Sequence, residues 1–294
     1  MGLEKLDTWY ASSDSIEYRG QRLQYLDNGN NDQPALVMLH GFPNSSWGWE
    51  KLWGELAPSY RLIAPDFIGY GRSSKPQDYA YSVADQARQA TALLVELGIS
   101  QAHLLAHSSG ISVLQELLAL KYLDNDTKVP RILSATFLNG GVVPSNAPTI
   151  IEQRLVQAQG NSLAEVLNVE FLNNVINTLS GPKCNFDADE AALIWEQVSR
   201  DGGLKIASQL LHYVNERAEH KQRWETALEQ TTVPMLAVLG LADPVWGLAQ
   251  HDTLRERWPR IEVATLESIG HFPQVHAADR VAEEIESFHL GLPD

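Results

Sequence analysis

One cysteine in 294 residues, Cys184, leaves no partner for an intrachain disulfide and no cysteine-based metal cluster. It is read as a packing residue. No apolar run approaches the roughly 18 residues that a membrane-spanning helix needs, and Met1 to Tyr10 lacks the basic start and apolar core of a secretory signal. These absences predict a cytoplasmic protein. Positive charge is also short: 22 Lys and Arg stand against 37 Asp and Glu, a net charge of −15. With no local basic cluster to reverse it, nucleic acid and anionic membrane surfaces are excluded as partners. Repeats and low-complexity tracts are absent as well.

What is present begins with 44% hydrophobic residues, enough for a large α/β core carrying an insertion. Ala102 to Leu114 is an apolar strand that runs into a helix through one tight turn, with Ser108 at the turn. A hydroxyl is a poor nucleophile until a base takes its proton and the backbone holds it exposed, which a strand-turn-helix does. The bend requires small residues two before and two after, and here they are Ala106 and Gly110. Ser109 fails the same requirement, since it would need small residues at His107 and Ile111. Ala106 departs by one methyl group from the Gly-x-Ser-x-Gly consensus.

Residues Thr8 to Asp27 alternate around Gly20 and predict early strands joined by a turn. Ala35–His40, Arg61–Ala64, His103–Ala106, Ile132–Leu138 and Met235–Leu239 are continuous apolar runs of the kind buried on both faces of a parallel sheet. Between them Trp47–Leu56, Val83–Leu97 and Ile111–Leu123 carry apolar residues three and four apart, predicting helices. From about Thr149 to Leu228 only helical spacing occurs, which predicts an inserted cap. Helix Leu248–Arg257, strand Ile261–Leu266 and helix Asp279–Leu290 then complete the alternation. The division is core at 1–144, helical cap at 145–231 and core again at 232–294.

A nucleophilic Ser needs a base, and the base an orienting carboxylate, each from a loop at the carboxyl end of a strand. Gly240-Leu241-Ala242-Asp243-Pro244 offers Asp243, and Ile269-Gly270-His271-Phe272-Pro273 offers His271. The order Ser108, Asp243, His271 is the one such an elbow predicts. The other histidines fit less well. His107 points away along the turn, His276 and His289 lie on the last helical stretch, His251 opens a surface helix, and His212 and His220 belong to the cap. The loop after Leu138 supplies Asn139, which is not an acid. For the oxyanion, His40-Gly41-Phe42-Pro43 follows the first buried strand, so the backbone N–H groups of Phe42 and Ser109 are the expected donors. Their side chains are then free to shape the pocket.

With these residues stand His-Gly-Phe-Pro at 40–43 and Asp66-Phe67-Ile68-Gly69-Tyr70-Gly71-Arg72-Ser73. Together they resemble the α/β-hydrolase superfamily, within it the epoxide hydrolase and haloalkane dehalogenase branch, and more closely the mesoderm-specific-transcript-like hydrolases. The closer likeness rests on Ser45-Ser46, on Leu138-Asn139-Gly140-Gly141, and on Gln209 to Arg217 with Arg223-Trp224. The resemblance implies an α/β-hydrolase fold, a mostly parallel doubly wound sheet with an inserted helical cap. Those relatives form an alkyl ester on an Asp where this chain has Ser108, and a Ser could not be regenerated from an alkyl ether. The dehalogenases also hold halide with an Asn and a Trp, where this chain has Phe42 and Ser109.

The expected activity is therefore that of a carboxylesterase-type serine hydrolase acting through an acyl-enzyme on small to medium acyl esters. It requires no metal or organic cofactor. Trp47, Trp195, Tyr213, Trp224 and Trp246 are the candidate aromatic contacts for substrate. The same triad would also serve lactone, thioester or carbon-carbon bond hydrolysis. From another class, the competing reading is a non-catalytic binding protein on the same scaffold.

Overall fold

The computed structural model describes residues 2–142 and 167–292. Eight strands make one sheet: β1 (Asp14–Tyr18), β2 (Gln21–Asp27), β3 (Ala35–Leu39), β4 (Arg61–Pro65), β5 (Gln101–Ala106), β6 (Arg131–Phe137), β7 (Met235–Gly240) and β8 (Ile261–Leu266). Their spatial order is β1-β2-β4-β3-β5-β6-β7-β8. The first two joins, β1 to β2 and β2 to β4, are antiparallel, and every later one is parallel.

The continuous apolar runs are explained by what covers each face. Along β3, Val37 and Leu39 join one buried cluster with Ile63, Leu104, Ala106 and Phe137. Leu36 and Met38 join another with Leu62, Leu105, Val238 and Phe288. Alternate residues of one strand thus reach opposite faces, both dry. Helices α3 (Val83–Glu96) and α4 (Gly110–Tyr122) cover the first face. Helix α2 (Glu50–Leu56), which follows a 3-10 turn at Ser46–Trp49, helps cover the second.

The expectation of strand from Thr8 is corrected by the structure. Gly2–Tyr10 is a helix, α1, and pairing begins only at Asp14. Leu6 and Tyr10, four residues apart, lie on one face of it and pack with Leu26 and Leu193, so helical spacing wins over the short polar alternation. The Tyr10 hydroxyl donates to Asp66 at 2.8 Å and lies equally near Gln197 Oε1.

Between Leu167 and Gln230 every regular element is helical: α5 (Val169–Ser180), α6 (Ala188–Ser199), short turns, α7 (Tyr213–Glu219) and α8 (Lys221–Gln230). The expected cap entry at 145, and its course to 166, fall outside the described residues. Asp187 and Glu190 close α6 with a capping box. Cys184 lies in the connection before it, partly exposed. Helix α9 (Leu248–Arg257) precedes β8, and α10 (Ala278–Leu290) packs Val281, Ile285 and Phe288 on the second face. No described helix is long and apolar enough to cross a membrane.

Candidate active site

The turn between β5 and α4 is tight enough to hold Ser108 at φ +55, in the left-handed region that costs a non-glycine residue about 1–3 kcal/mol. Two neighbouring strands secure it. The His107 N–H donates to the Leu39 carbonyl at 3.2 Å, and the Ser108 N–H to the Asn139 carbonyl at 2.9 Å. A methyl group on Gly110 would lie 2.2 Å from the Leu39 oxygen, so a side chain there is sterically excluded. That is the close approach the small-residue pattern anticipates.

His271 and Asp243 come from the loops after β8 and β7 and meet at 2.7 Å, Nδ1 to Oδ2. The other Asp243 oxygen accepts the Val245 N–H at 2.8 Å, and the Asn139 amide donates to Oδ2 at 3.0 Å. Burial by itself would raise the Asp243 carboxyl, but the His271 ring and the hydrogen bonds it accepts outweigh this and hold it below its usual value. With Nδ1 committed to Asp243, the remaining His271 nitrogen is left for the cavity that His271 and Ser108 line together.

Two residues that sequence reasoning set aside hold this arrangement. Asn139, rejected because it is not an acid, also donates to the Gly240 carbonyl at 2.9 Å and accepts the Gly240 N–H at 2.7 Å, tying β6 to β7. His107, expected to point away, turns its Nε2 to the His271 carbonyl at 2.8 Å, with the two rings 4.9 Å apart. Burial, reinforced by the His271 ring, pushes His107 down to about 3, so it is neutral and donates from Nε2. The adjacency of a histidine to Ser108 was the available signal. Its partner, 164 residues away, carried none.

His40 orders the opposite wall. Its Nε2 accepts the Phe67 N–H at 3.1 Å, and burial pushes it down to about 4, which fixes the neutral ring with the proton on Nδ1. The next loop residues bring Phe42 against the elbow, where its N–H donates to Ser109 Oγ at 2.8 Å. The expectation that the Ser109 side chain is free is thereby corrected.

The cavity beside Ser108 has a volume of about 80 Å³ and a largely apolar lining. Phe42, Pro43, Val245, Trp246 and Phe272 come from loops at the strand ends, and Phe171, Leu172, Val175, Ile176, Leu179, Trp195, Val198 and Tyr213 from the helical stretch 167–230. Arg217 also reaches it, donating to the Ser108 carbonyl and to Ser112 Oγ, both at 3.3 Å, with its guanidinium over the Tyr213 and Trp246 rings. Trp195, Tyr213 and Trp246 are thus where substrate-contact residues were expected. Trp47 and Trp224 are not. Trp47 packs edge-on to Trp9 away from the cavity, and Trp224 is fully buried with its indole N–H on Glu116 at 2.8 Å. Both are large aromatics recruited to join helices, a use that composition does not separate from ligand contact.

Residues 34–278 match the family described by the alpha/beta hydrolase fold. The chain is 33% identical over 280 residues to the mesoderm-specific transcript homolog protein of Homo sapiens, covering 92% of this chain and 83% of that protein. It is 26% identical to Lipase 1 of Psychrobacter immobilis, covering 92% of this chain and 81% of the lipase. The solved structure of the epoxide hydrolase CorEH superposes with a TM-score of 0.77 at 20% identity, over 95% of this chain and 98% of that one. With a matched region that takes in the elbow, the carboxylate and the histidine, the chain belongs to the alpha/beta hydrolase family.

Proposed function

We propose that this protein is a serine hydrolase that cleaves carboxylic esters of small to medium acyl chains through an acyl-enzyme on Ser108. The reading is carried by one observation: the His271 ring, gripped by Asp243 at 2.7 Å, shares a cavity with a serine held at positive φ. In it His271 takes the Ser108 proton as the oxygen attacks the ester carbonyl, and Asp243 stabilises the imidazolium that forms. In this reading the Ser109 amide and the positive dipole at the amino end of α4 receive the oxyanion, the expected Phe42 N–H being given instead to Ser109 Oγ at 2.8 Å. His271 then protonates the leaving alcohol, and a water activated by the same ring releases the acid.

A nucleophilic serine also argues against the chemistry in the name of the epoxide hydrolase neighbour. Attack on an epoxide would leave an ether on Ser108 that water does not open, whereas an ester on Ser108 is itself hydrolysable. The name of the bacterial lipase relative agrees with ester chemistry. The apolar cap lining supports an acyl group over a charged one. The test is labelling with a fluorophosphonate, the adduct being mapped by peptide mass, together with turnover of p-nitrophenyl esters. Labelling at Ser108 and loss of both signals in Ser108→Ala are expected. A Ser108→Ala protein that still turns over the ester at the wild-type rate overturns the reading.

A further inference from the structure

Ser109 stands at the amino end of α4, where a serine hydroxyl ordinarily accepts an N–H from the first helical turn. It does not do so here. The hydroxyl instead reaches across to the preceding loop and accepts the Phe42 N–H at 2.8 Å, in a residue only 7% exposed. Its oxygen is thus held by the amide that the sequence offers as one of two oxyanion donors. Its own proton has no protein acceptor among the described residues.

We propose that the Ser109 hydroxyl is a direct donor to the substrate oxyanion, receiving the Phe42 N–H and giving its own proton to the carbonyl oxygen in a hydrogen bond. The proposal rests on the ester-hydrolase reading of Ser108. A hydroxyl that accepts from an amide is polarised and donates more strongly. A donor held in place before charge develops needs no reorganisation during the reaction. The Phe42 amide then acts through the hydroxyl, and the Ser109 N–H acts beside it. Phe42 and Ser109 thereby supply an oxygen donor and a nitrogen donor, where the backbone alone supplies two nitrogens. No bond forms or breaks at Ser109.

The experiment compares wild type, Ser109→Ala and Ser109→Thr on a p-nitrophenyl ester, with two inhibitors of the same chain length. One is a trifluoromethyl ketone, which forms an oxyanion on Ser108, and the other is the n-alkane, which carries no oxygen. Ser109→Ala is expected to lose about 10²-fold in kcat, with KM changed less than about threefold. Its affinity for the ketone should fall in step while its affinity for the alkane holds, and Ser109→Thr, which keeps the hydroxyl, should recover most of kcat. A kcat for Ser109→Ala at or above the wild-type value overturns the proposal, because the hydroxyl then only fills an empty site. Parallel loss of ketone and alkane binding also overturns it, because Ser109 then only holds the loop. An active Ser108→Ala removes the ester-hydrolase reading and this proposal with it, whereas an inactive Ser108→Ala beside an unimpaired Ser109→Ala removes this proposal alone.

Discussion

Asn139 Nδ2 lies 3.0 Å from Asp243 Oδ2 and 2.9 Å from the Gly240 carbonyl, so a neutral side chain on the β6 loop holds the carboxylate that holds His271. Asn139→Ala removes that restraint and strands the buried Gly240 N–H, which costs about 1–3 kcal/mol of stability. Its kcat is expected to fall about tenfold at nearly constant KM, since the loss acts on orientation. Thermal melts and steady-state kinetics on the one variant read both effects.

Asp243→Asn keeps the shape of the carboxylate and discards its charge. The imidazolium formed during attack loses its partner and the ring loses the acceptor that fixes its tautomer. A fall in kcat on the order of 10⁴ is expected, with a lower melting temperature, since the new amide nitrogen meets either the Asn139 amide or the Val245 N–H, both donors. A loss under tenfold would show that His271 is oriented by something else.

Acid should loosen this protein through its buried histidines. Burial pushes His40 and His103 down to about 4 and His107 and His289 down to about 3. All four are neutral in the fold, while the unfolded chain binds their protons below about pH 6.5. Their contribution is complete above that value and is lost as pH falls toward 3 to 4, amounting for the fully buried His107 to about 3 kcal/mol at about pH 4. Melting temperature should hold from about pH 7.5 to about pH 6.5 and fall from there to about pH 4.5, and His103→Gln, far from the site, should flatten the fall.

Ile176→Trp places an indole where the cap lines the cavity. Activity on acetate esters should persist within about threefold while hexanoate and longer esters lose about tenfold or more in kcat/KM, as filled apolar space excludes the chain. A chain-length series with Ile176→Ala as the reciprocal variant checks the direction.

Gly110→Ala would set its methyl group 2.2 Å from the Leu39 oxygen, on backbone that cannot yield without moving β3. A loss of more than about 3 kcal/mol, or failure to accumulate as folded protein, is expected. Circular dichroism and a urea melt measure it.

The site was legible where chemistry and backbone geometry make the same demand. Ser108 could be placed because the elbow limits its neighbours to small residues, and Asp243 and His271 because they follow it in the chain order that such an elbow predicts. The continuous runs at Ala35 and Met235 gave themselves away through burial on both faces. Asn139 and His107 were visible but misjudged, because their work is done for residues remote in the chain and depends on distances that no local pattern encodes. Trp224 failed as a pocket residue for a related reason: its indole N–H found Glu116 on another helix. In α1, the spacing of Leu6 and Tyr10 was too brief a helical signal to stand against the strand-like residues that follow.

The Tyr10 phenol, set between Asp66 of the core and Gln197 of the cap helix α6, gives the first ten residues a reach beyond their size. With Leu6 packed on Leu193, α1 works as a tie-rod between floor and roof. Trimming it therefore alters the ceiling over the substrate without touching a residue of the chamber.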